Sequence, residues 1–132
     1  MGTTRVHVVT AQDSDDVLAY YAWCMASLSV KDAPPRLRAG AGRYPQPVAL
    51  LARLGVHQVC EGQGLGAGLL RDVISRTAEL GEEIGCRGLL IHAESESARN
   101  FYLHLVPGFE QSPTDDLHLV LLMKDIRRSL QQ

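Results

Sequence analysis

Four glycines occupy every second position of the stretch "GQGLGAG", at Gly62, Gly64, Gly66 and Gly68. Glycine tolerates positive φ angles and lets a ligand approach the backbone closely. A leucine-rich segment follows, and the start of a helix exposes unpaired N–H groups at the positive end of its dipole. The stretch therefore predicts a site for an anion such as a pyrophosphate, with a merely flexible turn as the alternative.

Two common nucleotide-binding motifs do not fit this stretch. A P-loop requires a Lys followed by Ser or Thr after its last glycine, and no such pair is present. A Rossmann fingerprint requires an acidic residue about 20 residues further on, at the end of the next strand. Glu82 and Glu83 lie at about that distance, but inside a helical pattern.

The apolar pattern on both sides predicts the elements that hold the glycines in place. Residues 48–56, "VALLARLGV", are nearly all apolar, which is typical of a buried central strand. Residues 65–84 repeat apolar side chains every three or four positions, which predicts an amphipathic helix that ends at Gly85. Its predicted inward face comprises Leu65, Leu69, Leu70, Val73, Ile74, Thr77, Leu80 and Ile84.

The remaining pattern predicts an α/β (α+β) fold with a mixed, partly parallel sheet flanked by helices. Residues 4–9 and 17–28 form a predicted hairpin, with a helix as the alternative for the second segment. Residues 87–93 predict a buried strand. The segment "SESARNFYLHL" predicts a helix capped by Ser95, with Ala98, Phe101, Tyr102 and Leu105 turned inward. The segments "GFEQ" and "LHLVLLMKDI" predict two final strands.

Composition limits the class of protein. The chain has 132 residues, 45% of them hydrophobic and 21% charged, so we expect one globular domain over residues 1–132. It contains neither the roughly 20 consecutive apolar residues of a membrane helix nor the apolar region of a signal peptide. Cys24, Cys60 and Cys86 are dispersed, and the five histidines form no HExxH motif. We therefore expect a cytoplasmic protein without a metal.

Positive charge is concentrated in residues 31–53, although the net charge of the chain is -2. Only Asp32 opposes the five basic residues of this segment, which are Lys31, Arg36, Arg38, Arg43 and Arg53. The segment predicts a docking patch for an anionic partner. The alternative is a solvated loop without a binding role. Its prolines and glycines predict either irregular loop or one short helical turn.

The segment "VALLARLGVHQVCEGQGLGAGLLRDVI" resembles the acetyl-CoA-binding core of the GNAT superfamily of N-acetyltransferases. Gly64 and Gly66 match the family's loop, while Glu61 stands where Gln or Arg is usual, and a carboxylate there lowers the expected affinity. The resemblance implies that acetyl-CoA contacts the end of the strand and the loop. These residues are Leu54, Gly55, Val56, Glu61, Gly62, Gln63, Gly64, Leu65, Gly66 and Ala67. Backbone N–H groups of the strand would be free for this contact if two parallel strands diverge here.

Two further segments, "ASLSVKDAPPRL" and "HAESESARNFYLHLVPGFEQSPTDDLHLVLLMKDI", narrow the resemblance to the GNAT toxins of type II toxin–antitoxin modules. These enzymes acetylate the amino group of the amino acid on charged tRNA. The resemblance implies Tyr102 as general acid and Phe101 as a core residue. It also implies a ribbon-helix-helix antitoxin and an aminoacyl-tRNA acceptor. Without the family's usual first helix we expect exposed apolar sheet surface, which predicts a homodimer. We expect the tRNA phosphates to be held by Lys31, Arg36, Arg38 and Arg43.

Several alternatives stay open at this point. Related toxins usually carry a strand and helices before the first hairpin, whereas this sequence starts almost at the hairpin. A truncated start, compensation by a dimer partner and an inactive descendant would each account for the difference. The function could also be acetylation of a small amine or a protein N-terminus, or binding of acetyl-CoA or an antitoxin without catalysis. His57, His92, His104 and water are the candidate bases.

Overall fold

The computed structural model describes residues 4–12, 15–39, 43–57, 61–62 and 64–130. Within these residues the chain forms six strands, four α-helices and one short 3-10 helix. In chain order they are β1 (Arg5–Thr10), β2 (Val17–Leu28), the 3-10 turn (Val30–Asp32), α1 (Pro35–Arg38), β3 (Gln46–Val56), α2 (Leu65–Ile84), β4 (Gly88–His92), α3 (Glu96–Leu105), β5 (Glu110–Gln111), β6 (His118–Leu122) and α4 (Met123–Leu130).

The six strands form one mixed sheet in the order β1-β2-β3-β4-β6-β5. Only β3 and β4 are parallel; all other neighbours are antiparallel. Helix α2 connects the parallel pair, because parallel strands need a crossover that returns the chain to the same end of the sheet. The predicted hairpin, the strand assignment of residues 17–28 and the mixed sheet flanked by helices are confirmed.

Each face of the sheet has its own apolar core. Helices α2, α3 and α4 cover one face, here called the helical face, where Tyr21, Leu51 and Ile91 are fully or almost fully buried. Residues 29–39, here called the strap, cross the other face, here called the strap face. Ala33 and Leu37 of the strap pack there on sheet residues, which are Leu28, Val48, Leu90, Val120 and Leu122.

Polar bonds tie the strap to the distal part of the sheet. Arg36 Nη1 donates to carboxylates of Glu110 and Asp125, at 2.9 Å each. Ser112 Oγ donates to the carbonyl oxygen of Asp32 at 2.7 Å. The predicted loop with one helical turn is therefore an ordered segment whose contacts lie on β5, the following turn and α4.

Helix α2 is fastened to the β1–β2 hairpin through a buried tyrosine. Tyr21 Oη donates to Asp72 Oδ2 at 2.6 Å, and Arg76 Nε donates to the same oxygen at 2.9 Å. The ring of His7 stacks on Tyr21 with centroids 4.7 Å apart. Although burial acts in the opposite direction, these hydrogen bonds hold the pKa of Asp72 below its ordinary value. The network fixes the second turn of α2, and with it the glycine-rich start of the helix.

Two sequence expectations about helices are wrong in detail. Ile84 is 55% exposed, although its angular position on α2 is close to that of Val73; the last turn extends beyond the elements that cover the rest of the face. The expected strand "LHLVLLMKDI" ends at Leu122, and α4 begins at Met123. Met123 and Ile126 are buried and three residues apart, which is helical spacing.

No helix of the described residues is long and apolar enough to cross a bilayer.

Candidate functional site

The parallel strands β3 and β4 separate after three residue pairs. Their last pair is Leu51 with Ile91, whereas β4 stays paired with β6 through His92. In the pairing of β3 with β2, Leu51 is opposite Trp23 and Arg53 is opposite Ala22, so β3 contains one extra residue between them. Such a bulge bends its strand. The bend opens a gap between the end of β3 and the end of β4.

Backbone donors of β3 face this gap. The N–H of His57 donates to the carbonyl oxygen of Leu18 at 2.6 Å. Because antiparallel bonding alternates along a strand, Gly55 also bonds toward β2, and the N–H groups of Leu54 and Val56 point away from it. The expected divergence of the parallel strands is thus present, with the N–H groups of Leu54 and Val56, but not that of Gly55, directed to the side of the gap.

A cavity of about 360 Å³ lies at the mouth of the gap. It joins the end of β3, the glycine loop, the first turn of α2 and one side chain of α3. Its lining residues are Leu54, Val56, Glu61, Gly62, Gly64, Leu65, Gly66, Ala67 and Phe101. Eight of the ten predicted cofactor-binding residues therefore line one cavity. Gln63 falls outside the described residues, and Gly55 is not part of the lining.

The glycines of the loop serve different purposes. Gly62 and Gly64 have φ angles of 83° and 82°, in the left-handed region that other residues avoid. Gly64 precedes α2 without a side-chain cap, and its carbonyl accepts the first helical bond, from Gly68 at 3.0 Å. A Cβ atom on Gly66 would lie 3.2 Å from Phe101 Cζ, whereas one on Gly68 would meet open space. The first-turn N–H groups up to Ala67 have no helical carbonyl partner.

Gly55 is explained by packing on its neighbouring strand. A Cβ atom at this position would lie 2.5 Å from Cε1 of Tyr20, the residue paired with Gly55 in β2. The glycine therefore accommodates the Tyr20 ring on the strap face, and its predicted contact with a cofactor has no counterpart in the cavity lining.

Of the two neighbouring aromatic residues that were predicted to turn inward, Tyr102 is buried and Phe101 is not. Phe101 is 39% exposed and lines the cavity, so its assignment to the core is wrong. Tyr102 is 7% exposed and packs between the rings of Phe101 and Phe109, with centroids 5.5 and 6.5 Å away. Burial, and then the negative charge of Glu94, raises the pKa of Tyr102 to about 12. The candidate acid thus lies directly behind the cavity wall.

The start of α3 places both aromatic residues. Ser95 Oγ accepts a hydrogen bond from the N–H of Ala98 at 3.1 Å, which confirms the predicted cap. One helical turn later, Tyr102 continues the inward stripe while Phe101 lies at its border, nearest to α2. A position beside the buried stripe, facing the glycine loop, is the signal that distinguishes a cavity residue from a core residue here.

The four predicted tRNA-binding residues are not brought into one cluster with the cavity. Arg36 is engaged by Glu110 and Asp125, and Arg38 Nη2 donates to the carbonyl of Ala33 at 3.2 Å. Lys31 and Arg43 are exposed. Arg43 precedes β3, whose residues 46–56 span about 33 Å, so it lies at the opposite end of this strand from the glycine loop. The basic segment therefore does not adjoin the cofactor cavity at Arg43.

A larger cavity of about 740 Å³ lies elsewhere, between α2, the end of α3 and α4. Its lining includes Arg71, Leu105, Leu121 and Arg128. It contains neither the glycine backbone nor the free strand edge of β3. We therefore place the candidate site at the smaller cavity, where backbone donors and the strand gap coincide.

Two curated relatives match nearly the whole chain. A tRNA-acetylating toxin of Mycobacterium tuberculosis is 47% identical over 119 residues, which is 90% of this chain and 69% of the relative. A probable toxin TacT of Sinorhizobium fredii is 31% identical over 129 residues, covering 93% of this chain and 71% of the relative. No model of a known protein family matches the chain.

Solved structures of bacterial toxins share the fold. A mutant of KacT superposes with a TM-score of 0.86 at 24% identity, covering 96% of this chain and 75% of KacT. AtaT complexed with acetyl-methionyl-tRNAfMet gives a TM-score of 0.84 at 23% identity, with coverages of 96% and 75%. A mutant AtaT bound to acetyl-CoA and to the C-terminus of the antitoxin AtaR gives 0.70 at 25% identity, with coverages of 88% and 67%.

Gly64 has a left-handed backbone and Gly68 a helical one, so the same substitution should have opposite effects at the two positions. We expect Gly64→Ala to lower the free energy of unfolding by about 1–2 kcal/mol, because alanine is strained at a φ of 82°. Gly68→Ala, in open space on α2, should raise it by up to about 1 kcal/mol. Urea unfolding of both variants measures the difference. Equal effects of the two substitutions would contradict the left-handed conformation at Gly64.

Proposed function

Because the chain belongs to the family of tRNA-acetylating GNAT toxins, we propose that it transfers an acetyl group from acetyl-CoA to the α-amino group of an aminoacyl-tRNA. An acetylated amine is no longer a nucleophile for peptide-bond formation, so the product blocks translation. The observation that carries the proposal is the cavity at the β3–β4 gap, where the glycine loop, unpaired strand donors and α3 meet.

The backbone donors and the apolar lining of the cavity support acetyl-CoA as its ligand. Gly62 and Gly64 form a backbone cradle without Cβ atoms, and the start of α2 adds N–H groups for the pyrophosphate. Leu54, Val56 and Phe101 supply an apolar wall suited to the pantetheine arm. Exposed Glu61 stands at the rim, where its charge opposes a phosphate. These contacts involve mainly backbone groups, which Glu61 does not remove.

When bound, acetyl-CoA supplies the acetyl group as a thioester. The N–H groups of Leu54 and Val56 point into the gap, where they are placed to hold the acyl oxygen and the arm, and this positioning lowers the barrier to attack. Tyr102 is proposed to donate its hydroxyl proton, or a hydrogen bond, to the departing sulfur. With a pKa of about 12, Tyr102 keeps its proton at neutral pH and is therefore in the form that can donate it.

The acceptor is proposed to be held in part by exposed cations of the strap and its continuation. Lys31, Arg38 and Arg43 are exposed and are available to tRNA phosphates. Arg36 would first have to give up Glu110 and Asp125, so its contribution to tRNA binding is expected to be smaller than that of the other three.

Further parts of the proposal concern assembly and location. We propose that the protein is cytoplasmic and binds a ribbon-helix-helix antitoxin. We also propose that it forms a homodimer. AtaT itself has been seen with the C-terminus of its antitoxin. Val6, Val8 and Val17 of the β1–β2 hairpin are 61%, 53% and 45% exposed. An apolar surface of this kind on an edge hairpin favours burial against a second copy.

Two matched glycine-to-glutamate substitutions test the cofactor site. Gly66→Glu places a carboxylate in the cavity beside Phe101, so we expect acetyl-CoA affinity to fall at least about 10-fold through steric and charge conflict with the pyrophosphate. Gly68→Glu adds the same charge to the same helical turn, in open space, and should have a smaller effect. Calorimetry with acetyl-CoA measures both. Equal affinities for the wild type and Gly66→Glu would remove the assignment.

Tyr102→Phe separates the role of the hydroxyl from that of the ring. The variant keeps the packing against Phe101 and Phe109, so its melting temperature should barely change. We expect the single-turnover rate of acetyl transfer to fall by about 100- to 10,000-fold, which is the usual range for an acid catalyst. An unchanged rate together with a lowered melting temperature would mean that Tyr102 is only a core residue.

Radiolabelled acetyl-CoA incubated with bulk aminoacyl-tRNA tests the acceptor. We expect label on tRNA, and we expect the combined change of Lys31, Arg38 and Arg43 to Gln to weaken tRNA binding. Each lost phosphate contact reduces the slope of log K against log salt by about 0.7–0.9. The control removes three charges from the helices instead, at Arg71, Arg127 and Arg128, all exposed. Label found only on free amines or protein N-termini would overturn the proposed acceptor.

A further inference from the structure

Two histidines are stacked on the strap face at the end of β4. His92 and His118 are cross-strand partners, and their ring centroids are 3.9 Å apart with an interplanar angle of 16°. Both alternate with helical-face residues along their strands, so they lie on the same side of the sheet as Leu90 and Val120. His92 is exposed, and His118 is partly exposed.

This pair adjoins the gap from the side opposite the cavity. Ile91 is the last residue of β4 that pairs with β3, so His92 is the first residue beyond the point of separation. Leu54 and Val56, which line the cavity, pack against the core of the helical face. The cavity and the histidine pair therefore approach the same gap from its two faces.

Resting on the proposed acetyl transfer, we propose that His92 is the catalytic base for the acceptor amine, with His118 and Asp115 as positioning residues. A donor that enters the gap from the helical face leaves the strap face as the approach for the acceptor. The amine that attacks through the gap then passes beside the imidazole of His92.

The proton balance of the reaction gives a base at this position a defined role. The amine nitrogen forms a bond to the acetyl carbon, and the bond from that carbon to sulfur breaks with its electron pair going to sulfur. The nitrogen loses a proton, which an imidazole nitrogen of His92 takes up. The sulfur takes a proton or a hydrogen bond from Tyr102 on the helical side. Acid and base thus act from opposite faces of the sheet, and no other reactant is consumed.

The electrostatic surroundings keep His92 in its neutral form near pH 7. Burial, and then the neighbouring His118, lowers the pKa of His92 below its ordinary value, while Asp115 acts in the opposite direction. Asp115 Oδ2 lies 3.4 Å from His118 Nε2, which orients the second ring. Arg53 of β3 is exposed on the same face. A neutral imidazole is the form that can accept a proton.

Two variants of the pair, one variant of Asp115 and one control test the assignment. We expect His92→Gln to lower kcat/KM for aminoacyl-tRNA by about 100-fold without changing acetyl-CoA affinity. His104→Gln, at an exposed position in the last turn of α3, should have no effect. His118→Gln should move the acidic limb of the pH–rate profile to higher pH, and Asp115→Asn should move it to lower pH, because each removes one of the opposing influences on His92.

A measurement on the free protein is independent of turnover. NMR titration of the His92 imidazole should give a pKa below the ordinary histidine value of about 6.5 and should show the same opposite shifts in the two positioning variants. A wild-type rate and pH profile in His92→Gln, or shifts of one sign in both positioning variants, would overturn the inference while leaving the proposed function intact.

If the wild type transfers no label to aminoacyl-tRNA, the proposed function fails, and puromycin then decides whether this face accepts aminoacyl groups. Puromycin carries a free α-amino group on a nucleoside. Chemical-shift changes at His92 and His118 on its addition would support an acceptor site there, and unchanged signals would overturn it.

Discussion

The separation of two parallel strands is the constraint on which the rest of the molecule depends. A parallel pair bonded along its full length would leave no donor free, and the sheet would be closed to a ligand. The extra residue in β3 prevents this by bending the strand away from β4 after Leu51. The groups considered for acetyl-CoA binding and proton transfer lie around the resulting gap: the glycine loop follows β3, His92 ends β4, and α3 starts shortly after β4.

The gap alone would not define a site without a fixed helix beside it. Glycines at the start of α2 allow the left-handed turn, but they also weaken the first turn. The bonds from Tyr21 and Arg76 to Asp72 lie just beyond that turn. They hold α2 against the hairpin at a point beyond the glycine-weakened first turn. The glycines that shape the start of α2 and the hydrogen bonds that support the helix therefore follow one another closely along the chain.

The sequence predicted the elements around the site better than the directions of individual side chains. The strand of residues 48–56, the glycine loop and the Ser95 cap followed from local pattern, because apolar periodicity and capping are local properties. The exposure of Phe101 and the ion pairs of Arg36 in the basic segment did not follow from local pattern, because both depend on distant parts of the chain. Phe101 contacts the start of α2, and Arg36 contacts β5 and α4. The histidine pair was equally hidden, because His92 and His118 meet only through strand pairing.

The strap also has a consequence for synthesis of the chain on the ribosome. Arg36 bonds to residues that follow it by 74 and 89 positions. At about 5–20 residues per second, the last of these partners is made roughly 4–18 s after Arg36. During that interval Leu37 and Ala33, both fully buried in the finished protein, have not yet met Val120 and Leu122. The strap face is therefore completed only after β6 and α4 have been synthesised, and until then part of its apolar surface has no partner on the growing chain.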